Sequence, residues 1–146
     1  MKIESLENGI VIDHIRAGFG VKVLEYLGAL GSGGTIAFIM NAVSQKHGRK
    51  DIIKLDTTAT ANINLDVLGL IDHNATIIEI RDFKIIDKKK AELPDQVTNV
   101  ILCKNPRCVT SSEQVAHTFH RVGDKGLYRC GYCDDLVNPD RYFWGG

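Results

Sequence analysis

The hydrophobic positions of this chain change their period along its length. Gly9-Ile10-Val11-Ile12-Asp13-His14-Ile15 is a short apolar run closed by polar residues, which predicts a strand. Over residues 18–30, Phe19, Val23, Leu24, Leu27 and Leu30 recur at helical spacing. Residues 35–40 and 51–55 return to strand-like runs. Residues 64–72 fit a helix with Leu65, Leu68 and Ile71 on one side and Asn64 as its N-cap. Residues 75–80 and 83–87 read as two further strands joined by Arg81-Asp82. The predicted order, β-α-β-β-α-β-β, is a split β-α-β arrangement with one added strand. It implies an α+β fold in which a ferredoxin-like antiparallel sheet is covered by two helices over residues 1–95. Leu93-Pro94-Asp95 marks the passage to a second domain, residues 96–146, expected to be a small antiparallel β unit.

The second domain carries all the cysteines. Cys103, Cys108, Cys130 and Cys133 are spaced C-x4-C-x21-C-x2-C. Two close pairs separated by about 20 residues read as two knuckles closing on one ion. Lys104-Asn105-Pro106-Arg107 and Gly131-Tyr132 supply the turn residues. Zn²⁺ is the first choice, because four sulfurs complete its coordination and leave no open position for chemistry. An iron site of rubredoxin type uses the same ligands, and four unconnected buried thiols are the bland alternative. A segment of this size buries too little apolar surface to fold securely alone, and metal binding supplies the missing energy. His117 and His120 lie between the pairs and read as ordinary strand or loop histidines.

Charge narrows the function classes. The 146 residues hold 18 Lys+Arg and 18 Asp+Glu, so the chain is neither a polybasic nucleic-acid coater nor an acidic tail. Residues 1–95 hold 12 basic and 13 acidic side chains, and residues 96–146 hold 6 and 5, so any charge-based site must be local. No apolar run approaches a membrane span, and the first residues lack a signal-peptide core, so no membrane partner and a cytoplasmic address are expected.

Gly28, Gly31, Gly33 and Gly34 imitate a nucleotide loop, but they follow a helix and precede a strand. A phosphate loop needs the reverse order, so these glycines read as a helix C-cap and a turn. Positive charge gathers instead at strand edges. His14 follows Asp13, Lys50 and Lys54 lie four apart on one strand face, and Lys88, Lys89 and Lys90 form a run just after the last strand. A cationic pocket with one carboxylate suits a nucleoside polyphosphate, with lysines on the phosphates and the acid on ribose or base. A solvated lysine face is the alternative. Asp13-His14 as a general acid/base pair lacks an obvious nucleophile.

Taken together, Val11-Ile12-Asp13-His14-Ile15, Gly48-Arg49-Lys50-Asp51-Ile52-Ile53-Lys54, Leu93-Pro94 and Asn99-Val100-Ile101-Leu102-Cys103 with the Cys₄ pattern resemble the regulatory chain of aspartate carbamoyltransferase. The resemblance runs from about residue 6 to about residue 134. It implies a non-catalytic subunit with an N-terminal allosteric domain for CTP, UTP or ATP. The zinc domain would dock on the separate catalytic chain of pyrimidine synthesis, and regulatory chains would pair through their allosteric domains. It further implies an effector pocket of Asp13, His14, Lys50, Lys54, Phe83, Ile85 and Lys88. The zinc ligands would be Cys103, Cys108, Cys130 and Cys133, with Asn105 at the catalytic-chain contact.

The sequence departs from the family pattern at several points. Ile78 stands where an asparagine is familiar, Phe83 where a tyrosine is common, and Lys90 where an arginine follows the matching lysine. The arm before Ile3 is short. Tyr142-Phe143-Trp144 near the end matches no family motif and is expected to pack on the metal domain or touch a partner. A nucleic-acid-binding zinc ribbon is the rival reading. Residues 96–146 have a formal balance of only +1, and four thiolates with one divalent ion make that segment net negative, which opposes nucleic acid.

Overall fold

The computed structural model describes residues 6–45, 48–124 and 126–144. The N-terminal arm before Ile3 lies outside them. The chain forms two compact units, Met1–Glu92 and Leu93–Gly146.

In the first unit the elements are β1 (Gly9–Arg16), α1 (Gly20–Leu27), β2 (Ile36–Ser44), β3 (Gly48–Asp56), α2 (Leu65–Ile71), β4 (Thr76–Arg81) and β5 (Lys84–Lys90). The strands lie in the order β2-β3-β1-β4-β5. Every neighbouring pair is antiparallel. The β1-α1-β2 crossover leaves a gap in the sheet, and β3 returns to fill it. This is the split β-α-β order with β5 added at the edge.

Alternation sorts the two faces. Ile12 is opposite Ile53 on β3 and Ile77 on β4, and all three are buried. Phe38 joins this row from β2. Helix α1 sits on this face: a Cβ at Gly20 would fall 2.6 Å from the Phe38 ring and 2.8 Å from Asp51, so its first residue must lack one. The next row, Ala37, Lys54, Val11, Ile78 and Lys88, therefore faces the side opposite the helices.

The helices are shorter than the periodicity predicts. Gly28 takes a left-handed cap at φ 93° and stops α1, leaving Leu30 outside it and 57% exposed. Asn64 caps α2 by accepting the Asp66 N–H. The strands are longer. Lys88, Lys89 and Lys90 do not follow the last strand but form its end, paired with Ile78, Ile77 and Thr76. An edge strand exposed along its whole length has no apolar alternation to reveal it.

Two strands carry bulges that their sequences do not announce. The β1 register shifts between Ile12 and Ile15, with His14 at φ 58°. The β2 register shifts between Ile39 and Ala42, with Asn41 at φ 59°. The buried Asp51 carboxylate serves both ends of this region. Its Oδ1 accepts the Asn41 N–H at 2.8 Å, and its Oδ2 accepts the Gly18 and Gly20 N–H groups at 3.1 and 2.9 Å.

The second unit holds β6 (Gln96–Thr98), β7 (Thr118–Val122), β8 (Leu127–Cys130) and β9 (Leu136–Val137) in one antiparallel sheet of that order, then α3 (Pro139–Trp144). Val97, Ile101, Phe119, Tyr128 and Phe143 form its core. Of the C-terminal aromatics, Phe143 and Tyr142 pack rather than project, and the Trp144 side chain lies outside the described residues. Phe143 is buried, Tyr142 meets it edge-on at 5.0 Å, and the Tyr142 hydroxyl accepts the Leu102 N–H at 3.1 Å. Among the described residues, no helix is long and apolar enough to cross a membrane.

Candidate functional site

The metal centre assembles from two local turns. Cys103 and Cys108 frame the first knuckle, which closes through the Cys108 N–H to the Asn105 carbonyl at 3.0 Å. Cys130 ends β8 and Cys133 follows it, with the Tyr132 N–H directed at Cys130 Sγ at 3.5 Å. All four sulfurs lie within 4.8 Å of one another. Cys103 Sγ is 3.6 Å from Cys133 Sγ, and Cys108 Sγ is 3.8 Å from Cys130 Sγ. A tetrahedron with Zn–S bonds of about 2.3 Å has edges of about 3.8 Å, so the donor set fits one tetrahedral thiophilic ion. None of the four is in a disulfide.

The thiols differ in their surroundings. Burial pushes Cys103 up to about 12, against the Asn105 N–H and with the neighbouring sulfurs adding to it. Burial also raises Cys130. Cys108 is drawn down to about 7, first by the Thr110 side chain and then by the Thr110 N–H. His117 stands behind the centre instead of in it: its Nδ1 accepts the Cys103 N–H at 2.9 Å.

Asn105 sits at the tip of the first knuckle, its Oδ1 accepting the Arg107 N–H at 3.0 Å. It lines a groove of about 680 Å³ with Leu102, Lys104, Leu136, Arg141 and Tyr142. Leu102, Leu136 and the nearby knuckle residue Tyr132 are 46%, 53% and 54% exposed, leaving apolar surface around the centre. Lys104 Nζ lies 5.2 Å from the Tyr142 ring centroid, so the C-terminal helix steadies the same knuckle.

In the first unit the expected effector residues fall into three groups along the helix-free face. Asp13 and His14 occupy the β1 bulge, and Lys50 reaches Asp13 Oδ1 at 2.9 Å. Lys54 and Lys88 end a row whose middle members are Val11 and Ile78, about 14 Å apart at a strand spacing of about 4.8 Å. Lys54 is buried and Lys88 exposed. Ile85 lies one row further on, opposite Ile80. Phe83 occupies the β4–β5 turn, with Asp82 and Phe83 both left-handed at φ 52° and 65°, and its ring is 62% exposed.

One cleft touches this set, with a volume of about 270 Å³, and it adds residues that sequence reasoning left out. Arg16, Arg49 and Lys90 join His14 and Lys50 around it. Lys90 belongs there because Thr76 links it across β4 to Asp13. Arg49 had a signal in its position beside Lys50. Arg16 had none, since the bulge decides where the end of β1 turns. The Asp72 carboxylate in the cleft wall is already engaged by the Arg16 and Asn74 N–H groups, at 2.7 and 3.1 Å. Four cations (Arg16, Arg49, Lys50 and Lys90) against this one occupied carboxylate leave the cleft an anion-attracting surface.

Comparison with known proteins agrees with both units. Residues 1–92 match the family described as aspartate carbamoyltransferase regulatory chain, allosteric domain. Residues 95–142 match the metal binding domain of the same chain. An aspartate carbamoyltransferase regulatory chain from Bifidobacterium longum is 46% identical over 137 residues, covering 92% of this chain and 97% of the relative. One from Clostridium botulinum strain Hall is 48% identical over 140 residues, covering 94% of each. One from Clostridium acetobutylicum is 46% identical over 138 residues, covering 93% of each. With two family domains in sequence order, a clustered Cys₄ centre and this level of identity over nearly its whole length, the chain belongs to the aspartate carbamoyltransferase regulatory chains, the non-catalytic partners of that enzyme.

Proposed function

We propose that the first unit binds a nucleoside triphosphate (CTP, UTP or ATP) on its helix-free sheet face and that the second unit docks on the catalytic chain. The observation that carries this reading is the charge placement on that face. Lys54 and Lys88 bracket an apolar floor of Val11 and Ile78, and Lys50 stands beside them with Asp13. Lysines hold phosphate as point charges, the floor takes a base or ribose, and Asp13 orients a hydroxyl. Effector and substrate are then linked by a coupling free energy of about 1–3 kcal/mol, and the linkage is reciprocal. No bond is made or broken in this chain.

The ion is Zn²⁺, which a closed set of four thiolates suits and which holds the knuckles in place. The docking surface is the first knuckle around Asn105, with Leu102 and Leu136 as its exposed apolar margin. The chain works in the cytoplasm and pairs with itself through the first unit. The two sheet edges support this unequally. β5 is studded with lysines and bulged between Glu79 and Ile80 of its partner strand, which blunts pairing. β2 has no charged residue in its 9 and exposes Met40 and Val43 at 57% and 73%, so β2 is the pairing edge.

Isothermal titration of the full chain with each triphosphate tests the effector half; no binding at millimolar concentration sinks it. Co-purification with the catalytic chain, with and without chelator, tests docking; association that survives metal removal unchanged sinks it. A Val43→Lys chain should be monomeric by ultracentrifugation where the parent self-associates.

A further inference from the structure

Two rows of positive charge cross the helix-free face of the first unit. In one, Lys54 and Lys88 bracket the Val11 and Ile78 floor. The next row lies two residues further along the strands, where Asp13, Thr76 and Lys90 stand abreast. Two residues of strand span about 6.6 Å. The cleft of about 270 Å³ opens at this second row, lined by Arg16, Arg49, Lys50 and Lys90.

These four cations are not equally committed. Lys50 is paired with Asp13 at 2.9 Å, and Arg49 donates to the Asn41 carbonyl at 3.2 Å. Arg16 and Lys90 are exposed and form no ion pair among the described residues. Arg16 is held in place all the same. Its guanidinium carbon lies 4.5 Å from the Phe19 ring centroid, and its backbone N–H donates to Asp72 Oδ2 at 2.7 Å. Asp72 is 4% exposed, and its Oδ1 accepts the Asn74 N–H at 3.1 Å. It fixes the end of β1 and pairs with no cation of the cleft. Two positioned charges thus stand without an anion, one row beyond the apolar floor.

We propose that Arg16 and Lys90 read the terminal phosphate of the effector, so that the cleft separates a nucleoside triphosphate from its diphosphate. This deepens the effector reading and rests on it. With the base or ribose on Val11 and Ile78, the first phosphates meet the row of Lys54 and Lys88. A tail that continues along the strands enters the cleft at the next row. A triphosphate reaches Arg16 and Lys90, and a diphosphate stops short of them. The planar guanidinium offers paired N–H donors to the terminal oxygens, and Lys90 adds a point charge.

Titration calorimetry of the full chain with CTP, UTP and ATP, each against its own diphosphate, gives the test. The parent should prefer the triphosphate. Lys90→Gln and Arg16→Gln should each weaken triphosphate binding about tenfold and leave diphosphate binding unchanged. Lys89 supplies the control, because it pairs with Ile77 and faces the helix side of the same strand. Lys89→Gln removes an equal charge and should keep the preference. Equal weakening of both nucleotides in Lys90→Gln and Arg16→Gln overturns the proposal, as does a lost preference in Lys89→Gln. A parent chain that binds no triphosphate overturns the effector reading and this one together. A parent that binds triphosphate no better than diphosphate, or Lys90→Gln and Arg16→Gln variants that keep the preference, overturns only this one.

Discussion

Lys50 holds its Nζ 2.9 Å from Asp13 Oδ1, and the two side chains are only 17% and 15% exposed. The pair exists because β1 bulges at Asp13 and His14, carrying the carboxylate toward β3. A triphosphate arriving at Lys50 must share it with Asp13. Under the proposed function, binding there would exchange one anion for a larger one and would be sensitive to salt.

Lys50→Met should weaken nucleoside triphosphate binding about tenfold, equivalent to about 1.4 kcal/mol. It should also flatten the dependence of affinity on ionic strength, since one screened contact is gone. Titration calorimetry at two salt concentrations reads both, and an unchanged affinity would remove Lys50 from the pocket.

Asp51 is the keystone of the same corner, accepting three backbone N–H groups from the turn before α1 and from the β2 bulge. In Asp51→Asn an amide group must face one of those donors, and a charge-assisted bond is lost. The first unit should lose about 2–3 kcal/mol of stability in urea titration. A loss below about 0.5 kcal/mol, the size of an ordinary surface change, would show that the carboxylate is not holding the corner.

Removing the metal should unfold the second unit and leave the first. The small β6–β9 sheet depends on knuckles whose closure the ion completes, while the five-stranded sheet has its own core. With chelator, near-ultraviolet dichroism of Tyr128 should vanish and the amide protection of β1 and β3 should persist. Burial raises Cys103, to about 12, and Cys130, so both hold protons at neutral pH before metal arrives. Metal uptake at pH 7 should expel at least these two, and affinity should fall as pH falls. Calorimetry in buffers of different ionisation enthalpy counts them.

Asp56 is placed to contribute to the acid limb of the first unit, its Oδ2 accepting the Thr35 N–H at 3.0 Å and its Oδ1 the Ala59 N–H at 2.9 Å. The Ala59 N–H, and after it the Thr35 N–H, lower its pKa below the ordinary 3.8. A depressed folded-state pKa contributes stability that is fully present above the unfolded value and is lost as pH falls through the folded one. Asp56→Asn should therefore make unfolding of this unit less steeply dependent on pH below about 4. An acid limb identical to that of the parent would assign the effect to other carboxylates.

Much of this molecule was legible in its sequence. The hydrophobic period separated strands from helices, and the split β-α-β order followed because a crossover can return to its sheet in one hand. The cysteine spacing announced the Cys₄ cluster, because each knuckle is a local turn and two of them need only one partner each. Asn64 and Gly28 marked helix ends by chemistry that acts within a few residues. The sequence also put Lys50 and Lys54 on one face, since alternation along a regular strand needs no partner.

Tertiary structure decided the rest, wherever a residue's place depends on a strand distant in sequence. The bulges at Asp13-His14 and Asn41 answer to partner strands and to Asp51, and no local pattern encodes them. Lys88, Lys89 and Lys90 look like a tail because an exposed edge strand shows no alternation, yet pairing with β4 makes them strand. Arg16, Arg49 and Lys90 meet only because three strands end together. Local periods are written along the chain, whereas the meeting of side chains is settled by register, and register is a property of the assembled sheet.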